Sequence, residues 1–289
     1  MEELNIPEPF KADKFELFQE GIYDNPSISV YINGKRNFAF LHPKPVFNYK
    51  KYEPRVKKLK QEAYKKQQLV YEDRFNKIKH ILGSDISSLI EIGAGDGSFL
   101  GLIKHELPYV ELAAVETDVN TDNQRRQISD LINFRDLDEV CVNRIRYDAV
   151  CLFHVIEHII DPSTFLSKVH RSLMHKNSII VVEVPSLYDP LLSLYGCESY
   201  KRFYFQSQHP YIYSHTSIVR LMERNGFMTK GVISYQRYGI ENHLNWFAND
   251  TPGGSQLFRN IFNKTNKSYI SELEDFGKTD TVIWIGKLN

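Results

Sequence analysis

The chain has 289 residues, of which 42% are hydrophobic and 25% are charged, as is typical of a globular protein with a large core. Its 36 Lys and Arg residues balance its 36 Asp and Glu residues, which excludes a molecule-wide cationic field, so we expect no nucleic-acid partner. Three cysteines without C-x-x-C spacing argue against a disulfide framework, and no segment approaches 18 uncharged apolar residues. We therefore expect a cytoplasmic protein without a membrane span.

The N-terminal residues have the pattern of a small β structure. Asn33-Gly34 separates two β-prone runs, and this dipeptide is typical of a tight hairpin turn. We therefore predict that residues 1–53 form a β appendage and that residues 54–289 form the main domain.

A helix is predicted from Pro54 to Leu82. The segment has no internal Pro or Gly, Pro54 suits the first helical turn, and Gly83 follows its end. Residues 50–79 contain eleven Lys or Arg against four Asp or Glu, which is typical of a solvated helix face. Two subunits could associate through this basic helix and the hairpin and so form a homodimer. This alternative to a monomer stays open.

Beyond Gly83, short apolar runs alternate with helical stretches. Such alternation predicts a parallel sheet with crossover helices. The predicted strands are, in chain order, SSLIEIG, ELAAVET, YDAVCLF, NSIIVVEVP, MTKGVISYQ and TDTVIWIGK.

The stretch LIEIGAGDGSFL predicts a ligand-binding turn between a strand and a helix. Glycines at positions 93, 95 and 97 permit positive φ and close approach of a ligand, and the helix start offers free N–H groups. The dinucleotide fingerprint requires Gly or Ala where this sequence has Ser98, which disfavours NAD. Glycines in such a turn also serve close packing alone, and this remains the alternative.

Two acidic residues near the turn indicate the chemistry of the ligand. Glu91 lies in the strand just before the glycines, where a carboxylate suits an ammonium group. Glu116 ends the next predicted strand and can accept two hydrogen bonds from a ribose diol. S-adenosylmethionine carries both groups, so these residues predict it as the cofactor.

EIGAGDG resembles motif I of the class I S-adenosylmethionine-dependent methyltransferases, and AAVETD resembles their second strand with its ribose-binding acid. The resemblance covers roughly residues 70–235. It implies an α/β fold with a Rossmann-like, seven-stranded, mostly parallel sheet, an antiparallel last strand and helices on both faces. The cofactor-binding residues that it implies, together with the acid before the turn, are Glu91, Gly93, Ala94, Gly95, Glu116, Thr117, Asp136, Leu137 and His154.

The stretch FHVIEHIIDP contains H-x-x-E-H, the spacing of a zinc peptidase in which both histidines lie on one helix. Asp161 and Pro162 indicate instead a helix that begins after His158, and the segment resembles the fourth strand and following helix of the same methyltransferases. We therefore expect no metal, and a zinc hydrolase is the lesser alternative.

The resemblance puts His154 beside the methionine end of the cofactor. Glu157 and His158 would lie at the mouth of the acceptor pocket, as catalytic residues or as partners of neighbouring loops.

YFQSQHPYIYSHTSIVRLMERNGF resembles a stretch of sugar methyltransferases in which a histidine is thought to act as the base, helped by a neighbouring acid. His209 takes the position of the histidine, but Gln208 takes that of the acid. The cysteine-rich, zinc-binding N-terminal part of the sugar C-methyltransferases is also not present, which favours a hydroxyl over a carbon as the methylated group. Tyr204 is a catalytic candidate beside His209, and Tyr211 is a substrate-binding candidate.

RYGIENHLNWFANDTPGG resembles a segment of methyltransferase-like proteins from bacterial surface-polysaccharide gene sets. It lies in the second of two predicted insertions, 186–214 and 237–279, which join strands at the carboxyl side of the sheet. Asn242, His243 and Trp246 would form one wall of a carbohydrate pocket, or else an aromatic packing cluster. The predicted reaction is methyl transfer to a sugar or nucleotide-linked glycan precursor, with a non-catalytic cofactor-binding module as the alternative.

Overall fold

The computed structural model describes residues 6–45, 61–83 and 86–289, without the side chains of residues 61–67 and 256. The predicted helix start at Pro54 lies outside the described residues, and the helix is seen from Gln61 to Leu82. Gly83 follows it with a positive φ of 73°, which agrees with the predicted helix end.

Eleven strands occur in the described residues. They are β1 (Phe15–Gln19), β2 (Ser29–Asn33), β3 (Phe38–His42), β4 (Ser88–Ile92), β5 (Glu111–Val115), β6 (Ile132–Phe134), β7 (Tyr147–Phe153), β8 (Met174–Pro185), β9 (Tyr211–Tyr213), β10 (Phe227–Tyr235) and β11 (Thr281–Leu288).

The helices that the structure describes connect these strands. They are α1 (Gln61–Leu82), α2 (Ser98–Glu106), α3 (Asp122–Arg125), α4 (Leu137–Asn143), α5 (Pro162–Leu173), α6 (Pro190–Ser193), α7 (Glu198–Tyr204), α8 (His215–Arg224), α9 (Ile240–Asn249), α10 (Gln256–Ile261) and α11 (Asn263–Asp275). Two short 3₁₀ helices cover Val119–Thr121 and Ile156–His158.

Seven strands form the main sheet, in the order β10-β11-β8-β7-β4-β5-β6. The five strands from β8 to β6 pair in parallel, whereas β11 is antiparallel to both of its neighbours. The predicted mostly parallel sheet with an antiparallel last strand is thereby confirmed. Because β4 lies between β5 and β7, the residues that follow these three strands meet at one edge of the sheet.

Successive side chains of β4 pack on opposite faces of the sheet. Leu89 lies in the core that α1 and α2 cover, while Ile90 lies in the core that α5 and α8 cover. Both residues are fully buried, as the two-residue period of a strand requires. Helices therefore cover both faces, as predicted.

A second sheet has the order β1-β2-β3-β9 and is antiparallel throughout. The predicted hairpin is its β2–β3 pair, with the turn after Asn33. β9 comes from the predicted insertion at 186–214 and places Tyr213 opposite Phe38. Because both of these residues lie in the main core, the N-terminal β structure shares that core. The structure thus joins residues from both sides of the predicted boundary at residue 53.

In the part of the chain that the structure describes, no helix combines the length and the apolar character needed to cross a membrane.

Candidate active site

The glycine turn follows β4 and lies against the chain that follows β7. Gly93 has a φ of +76°, and a Cβ atom there would lie 2.6 Å from Cγ2 of Val155, so a larger residue would force a shift. The N–H groups of Gly93 and Ala94 donate to the carbonyl oxygen of Val115 at the end of β5 (2.8 and 3.2 Å). A Cβ atom on Gly95 would meet no described atom within 4 Å. The turn is therefore anchored on one side and open on the other.

Glu116 connects this turn to the loop after β5. Its Oε2 accepts a hydrogen bond from the N–H of Gly95 and its Oε1 accepts one from the N–H of Asp118, both at 2.8 Å. The carboxylate thus lies beside the glycine turn, and its contact with a ribose stays a prediction. Thr117 is exposed next to it.

The residues predicted to contact adenine lie at the start of α4. Asp136 caps this helix by accepting a hydrogen bond from the N–H of Glu139 (2.9 Å), so its carboxylate already has a structural role. Leu137 is half-buried and packs against the core. Their contact with adenine stays a prediction.

Glu91 has a buried carboxyl group two residues before Gly93. The residue is 4% exposed, and its Oε2 has no hydrogen-bond partner among the described residues. Burial disfavours the charged form and raises the pKa of Glu91 to about 8, although the charge of Arg74 acts in the opposite direction. A cationic group beside Oε2 would satisfy this carboxylate and lower its pKa.

His154 follows β7 with a φ of +56°, which is uncommon for a residue with a side chain. Its Nδ1 lies 3.2 Å from Oε1 of Glu157, and its Nε2 lies 2.9 Å from Oε1 of Glu183 and 3.0 Å from Nη1 of Arg237. Burial and Arg237 each lower the pKa of His154, but the hydrogen bonds to the two carboxylates outweigh them and raise it. The imidazole is thus held between two carboxylates at the end of the strand.

Sequence-based reasoning missed the ion pairs that support His154. Arg74, on α1, donates two hydrogen bonds of 2.7 Å to the Glu183 carboxylate, and neither side chain is more than 5% exposed. Arg237 pairs in turn with Asp280 (3.2 Å). Glu183 interrupts the apolar run SIIVVEVP. A charged residue in a predicted buried strand is the signal that could have revealed a buried ion pair here.

Three of the four predicted catalytic residues come together in space near the end of β7. Glu157, His158 and His209 each present a nitrogen or oxygen atom, and these atoms all lie within 4.8 Å of one another. The two imidazole rings are 4.7 Å apart between their centroids. Nδ1 of His158 donates a hydrogen bond to the carbonyl oxygen of Gln208 (2.7 Å). We call these three residues the Glu157 cluster.

Burial and neighbouring groups together set the charge states of Glu157 and His209. Loss of solvation lowers the pKa of His209 to about 4, although the charge of Glu157 raises it, so this imidazole is neutral at neutral pH. Burial alone would raise the pKa of Glu157, but the hydrogen bond with His154 and the nearby histidines lower it overall. Oε2 of Glu157 has no hydrogen-bond partner within the described ranges. The cluster therefore combines an incompletely paired carboxylate with a neutral imidazole.

The geometry of the zinc peptidase does not form. Ile156–His158 is a single 3₁₀ turn, and α5 begins only at Pro162, where Asp161 accepts a capping hydrogen bond from the N–H of Thr164 (3.1 Å). His154 precedes the turn, so the two histidines of H-x-x-E-H do not share a helix face. The start of α5 agrees with the prediction from Asp161 and Pro162.

The two tyrosines predicted to act near His209 have structural contacts. Tyr204 donates its hydroxyl proton to the carbonyl oxygen of Ser186 (2.8 Å), and Tyr211 donates its own to that of Ile160 (2.9 Å). Tyr211 is also only 3% exposed and belongs to the core. Each hydroxyl thus already donates to a backbone carbonyl oxygen, and the contact of either tyrosine with an acceptor stays a prediction.

The predicted sugar-binding residues of α9 are all buried. Nδ1 of His243 lies 2.6 Å from the hydroxyl oxygen of Tyr269, and the Trp246 indole packs edge-on against Tyr200 at 5.0 Å. The alternative of a packing cluster fits His243 and Trp246. Asn242 differs, because it lines a large cleft.

This cleft, of about 800 Å³, opens between α1, the end of β10 and the second insertion. Its lining includes Asp73, Lys77, Gln236, Arg237, Glu241, Asn242, Arg259, Lys267 and Ser271. Since Nη1 of Arg237 lies 3.0 Å from Nε2 of His154, the cleft begins beside the end of β7. We call it the Arg237 cleft. A second cleft, of about 650 Å³, is lined by residues that include Trp246 and Phe203.

The order of the main sheet, the glycine turn after its central strand and the acid after the next strand define the class I methyltransferase fold. A family model described as a methyltransferase domain matches residues 49–229, more than half of the chain. The chain belongs to this methyltransferase family and uses S-adenosylmethionine as its methyl donor. A search of the curated proteins finds no match.

Solved structures share this fold. A SAM-dependent methyltransferase from Archaeoglobus fulgidus is 20% identical, with 76% of this chain and 94% of that chain covered and a TM-score of 0.51. The complex between the Haloferax volcanii Trm112 methyltransferase activator and a putative methyltransferase contains a chain that is 15% identical, with 77% and 93% covered and a TM-score of 0.51. At these identities the likeness is one of fold.

Proposed function

We propose that this enzyme methylates a hydroxyl group of a small sugar or nucleotide-linked glycan precursor that binds in the Arg237 cleft. The position of the cleft carries the proposal. Arg237 lines it and contacts His154, and His154 directly follows β7, the strand next to β4 and its glycine turn. Methyl transfer requires donor and acceptor to be held in line, and here the two regions are adjacent.

The residues of the turn fit the donor. The buried Oε2 of Glu91 lacks a partner among the described residues, which an ammonium group would supply. The open side of Gly95 leaves room for a ligand against the backbone. Glu116 lies beside the turn with a carboxylate that can accept hydrogen bonds from ribose hydroxyls. The proposed set is completed by Gly93, Ala94, Thr117, Asp136, Leu137 and His154.

The lining of the Arg237 cleft suits a ligand that is rich in hydroxyl groups. Asn242, Gln236 and Ser271 offer both donors and acceptors. The lining also carries Lys77, Arg237, Arg259 and Lys267, and these cations would bind the phosphates of a nucleotide-linked sugar. Three of them already pair with carboxylates, Lys77 with Glu274, Arg237 with Asp280 and Arg259 with Glu241, so a phosphate would have to share or replace these partners. The volume of about 800 Å³ is in the range of small-molecule sites.

The bound cofactor supplies an electrophilic methyl group on a sulfonium ion. The protein must hold the acceptor hydroxyl in line with that group and accept its proton. We assign the proton to the neutral imidazole of His209, and the adjacent Glu157 carboxylate would stabilise the imidazolium that forms. His158 would help to shape the mouth of the pocket.

The test is methylation of a panel of nucleotide sugars, after affinity for the demethylated cofactor has been measured by calorimetry. Asn242→Ala should raise KM for the acceptor by about 2- to 10-fold, with unchanged cofactor affinity, since one hydrogen bond is lost. Asn249→Ala, on the exposed end of the same helix, is the matched control. Cofactor binding without methylated product from any sugar would favour the non-catalytic module.

A further inference from the structure

The Glu157 cluster has the composition of a metal site. Two imidazoles and one carboxylate place their ligand atoms within 4.8 Å of one another. Ligand sets of this kind hold divalent transition metals, because imidazole is a better ligand for zinc, cobalt or iron than for magnesium.

The orientation of His158 also suits a ligand. Its Nδ1 donates to the carbonyl oxygen of Gln208 at 2.7 Å, so in the neutral ring the lone pair is on Nε2. Nε2 is the nitrogen that lies towards Glu157, 4.0 Å from Oε1. Metal-bound histidines usually donate their other ring N–H to a carbonyl or carboxylate oxygen in this way.

Glu157 supplies a second, independent observation. Its side chain is 2% exposed, and its Oε2 has no hydrogen-bond partner among the described residues. A buried carboxylate oxygen without a partner is costly, and a bound cation would remove that cost. The other oxygen lies 3.2 Å from Nδ1 of His154, which ties the cluster to the end of β7.

We propose that Glu157, His158 and His209 bind one divalent transition-metal cation, which in turn binds the oxygen atom of the acceptor. This proposal departs from the sequence-based expectation of no metal. It rests on the proposed function, because an acceptor held in the Arg237 cleft must reach the Glu157 cluster, and His154 links the two through its contacts with Arg237 and Glu157.

The site needs only small movements to close around a cation. Zinc bonds of about 2.0–2.2 Å put the ligand atoms of a tetrahedral site roughly 3.4 Å apart, so separations of up to 4.8 Å must shrink by about 1.4 Å at most. Rotation of side chains can supply this. His158 and His209 are both partly exposed, which gives an entering ion and an acceptor access from solvent.

A cation here would change the role of His209 from base to ligand. An alcohol bound to the cation becomes more acidic, and its proton passes to solvent water. The C–S bond of the sulfonium then breaks as the new C–O bond forms, and the sulfonium becomes a neutral thioether. The three protein ligands leave coordination positions open for the acceptor, as in catalytic metal sites.

The experiment is a titration of the chelator-treated full-length protein with Co²⁺, followed by visible absorption and calorimetry. We expect one equivalent to bind. Glu157→Gln, His158→Asn and His209→Asn should each weaken binding by at least about tenfold, since loss of an outer-shell partner alone often costs about 10–100-fold. His170→Asn, on α5 beside Phe227 and outside the cluster, should bind cobalt like the unmodified protein. Absence of cobalt bands, or equal binding by all four variants, would overturn the proposal.

A second measurement needs no variant and so does not depend on their folding. Mn²⁺ added to the unmodified protein should broaden the NMR signals of the His158 and His209 rings before those of His170. Broadening of all three together would mean that the ion binds elsewhere.

Two further readouts separate this proposal from the proposed function. Affinity for the demethylated cofactor is measured with chelator present, so it does not depend on the metal. Sugar methylation that persists in the presence of chelator would contradict the proposed role of the metal but not the proposed function. Cobalt binding at the Glu157 cluster, without methylation of any sugar, would contradict the proposed sugar acceptor but not the metal site.

Discussion

Arg74 and Glu183 form a bidentate ion pair in which both hydrogen bonds are 2.7 Å long and both side chains are almost fully buried. The pair links α1 to β8, and Glu183 also contacts Nε2 of His154. The Arg74 guanidinium lies 4.4 Å from the centre of the Phe153 ring. The pair therefore holds α1 against the main sheet and also positions His154 and Phe153 at the end of β7.

Removal of Arg74 should destabilise the protein strongly. Arg74→Met leaves the Glu183 carboxylate buried with one partner fewer, and we expect a loss of about 3–5 kcal/mol in the free energy of unfolding. The matched control is Arg36→Met, because Arg36 pairs with Glu16 at 3.1 Å on the exposed surface. That change should cost no more than about 1 kcal/mol. Urea unfolding measures both, and equal losses would contradict the prediction.

Cofactor affinity should depend on pH through Glu91. Burial raises the pKa of its carboxyl group to about 8, so this group is protonated in the free protein at pH 6. Binding of an ammonium group favours the carboxylate, and a proton is released. Affinity for the demethylated cofactor should therefore rise by up to about tenfold per unit between pH 6 and 7.5. Calorimetry at several pH values checks this. In the control variant Glu91→Gln, the affinity for the demethylated cofactor should no longer rise with pH in this range.

Gly95→Arg should abolish cofactor binding. The side chain would enter the open space beside the turn, and φ at Gly95 is +54°, where a residue with a Cβ costs roughly 1–2 kcal/mol. Gly34→Arg is the control, because Gly34 also has no described atom near its Cβ position but lies in the hairpin turn. Calorimetry of the folded variants should show a loss of affinity for Gly95→Arg only. Retained affinity would mean that the cofactor binds elsewhere.

The contribution of Asp148 to stability should disappear in acid. Burial would raise the pKa of its carboxyl group, but hydrogen bonds from Ser87, His175 and Ser88 outweigh burial and lower the pKa to about 2. The unfolded value is about 3.9, so the stabilisation is complete above that pH and is lost as the pH falls towards 2. Asp148→Asn should therefore be less stable than the unmodified protein at pH 7, with a difference that shrinks between pH 4 and 2. A difference that stays constant down to pH 2 in urea unfolding would contradict this.

The central part of the fold could be predicted from sequence because its signals are local. A strand shows itself by a run of apolar residues, as in β4, and a helix start by its capping residue, as Asp161 does for α5. The glycine turn combines both kinds of signal in LIEIGAGDGSFL. The number of strands and their mostly parallel direction came from the resemblance to a known family, whereas the strand order came from the structure.

Contacts between distant parts of the chain could not be predicted in this way. β9 joins the N-terminal sheet although it lies in the insertion at 186–214, and a three-residue strand carries almost no periodic signal. Tyr211 shows the same difficulty, because its local motif does not reveal that the side chain packs in the core.

The sequence by itself thus determined the α/β fold class, the glycine turn that is proposed to hold the donor and the family to which the chain belongs. Only the tertiary structure decided that Arg74 meets Glu183 across 109 residues of sequence, and that His209 joins Glu157 and His158 in one cluster. The physical reason is that turns, caps and strands depend on neighbours along the chain. A buried ion pair or a cluster of ligands depends instead on which surfaces the completed sheet and its insertions bring together.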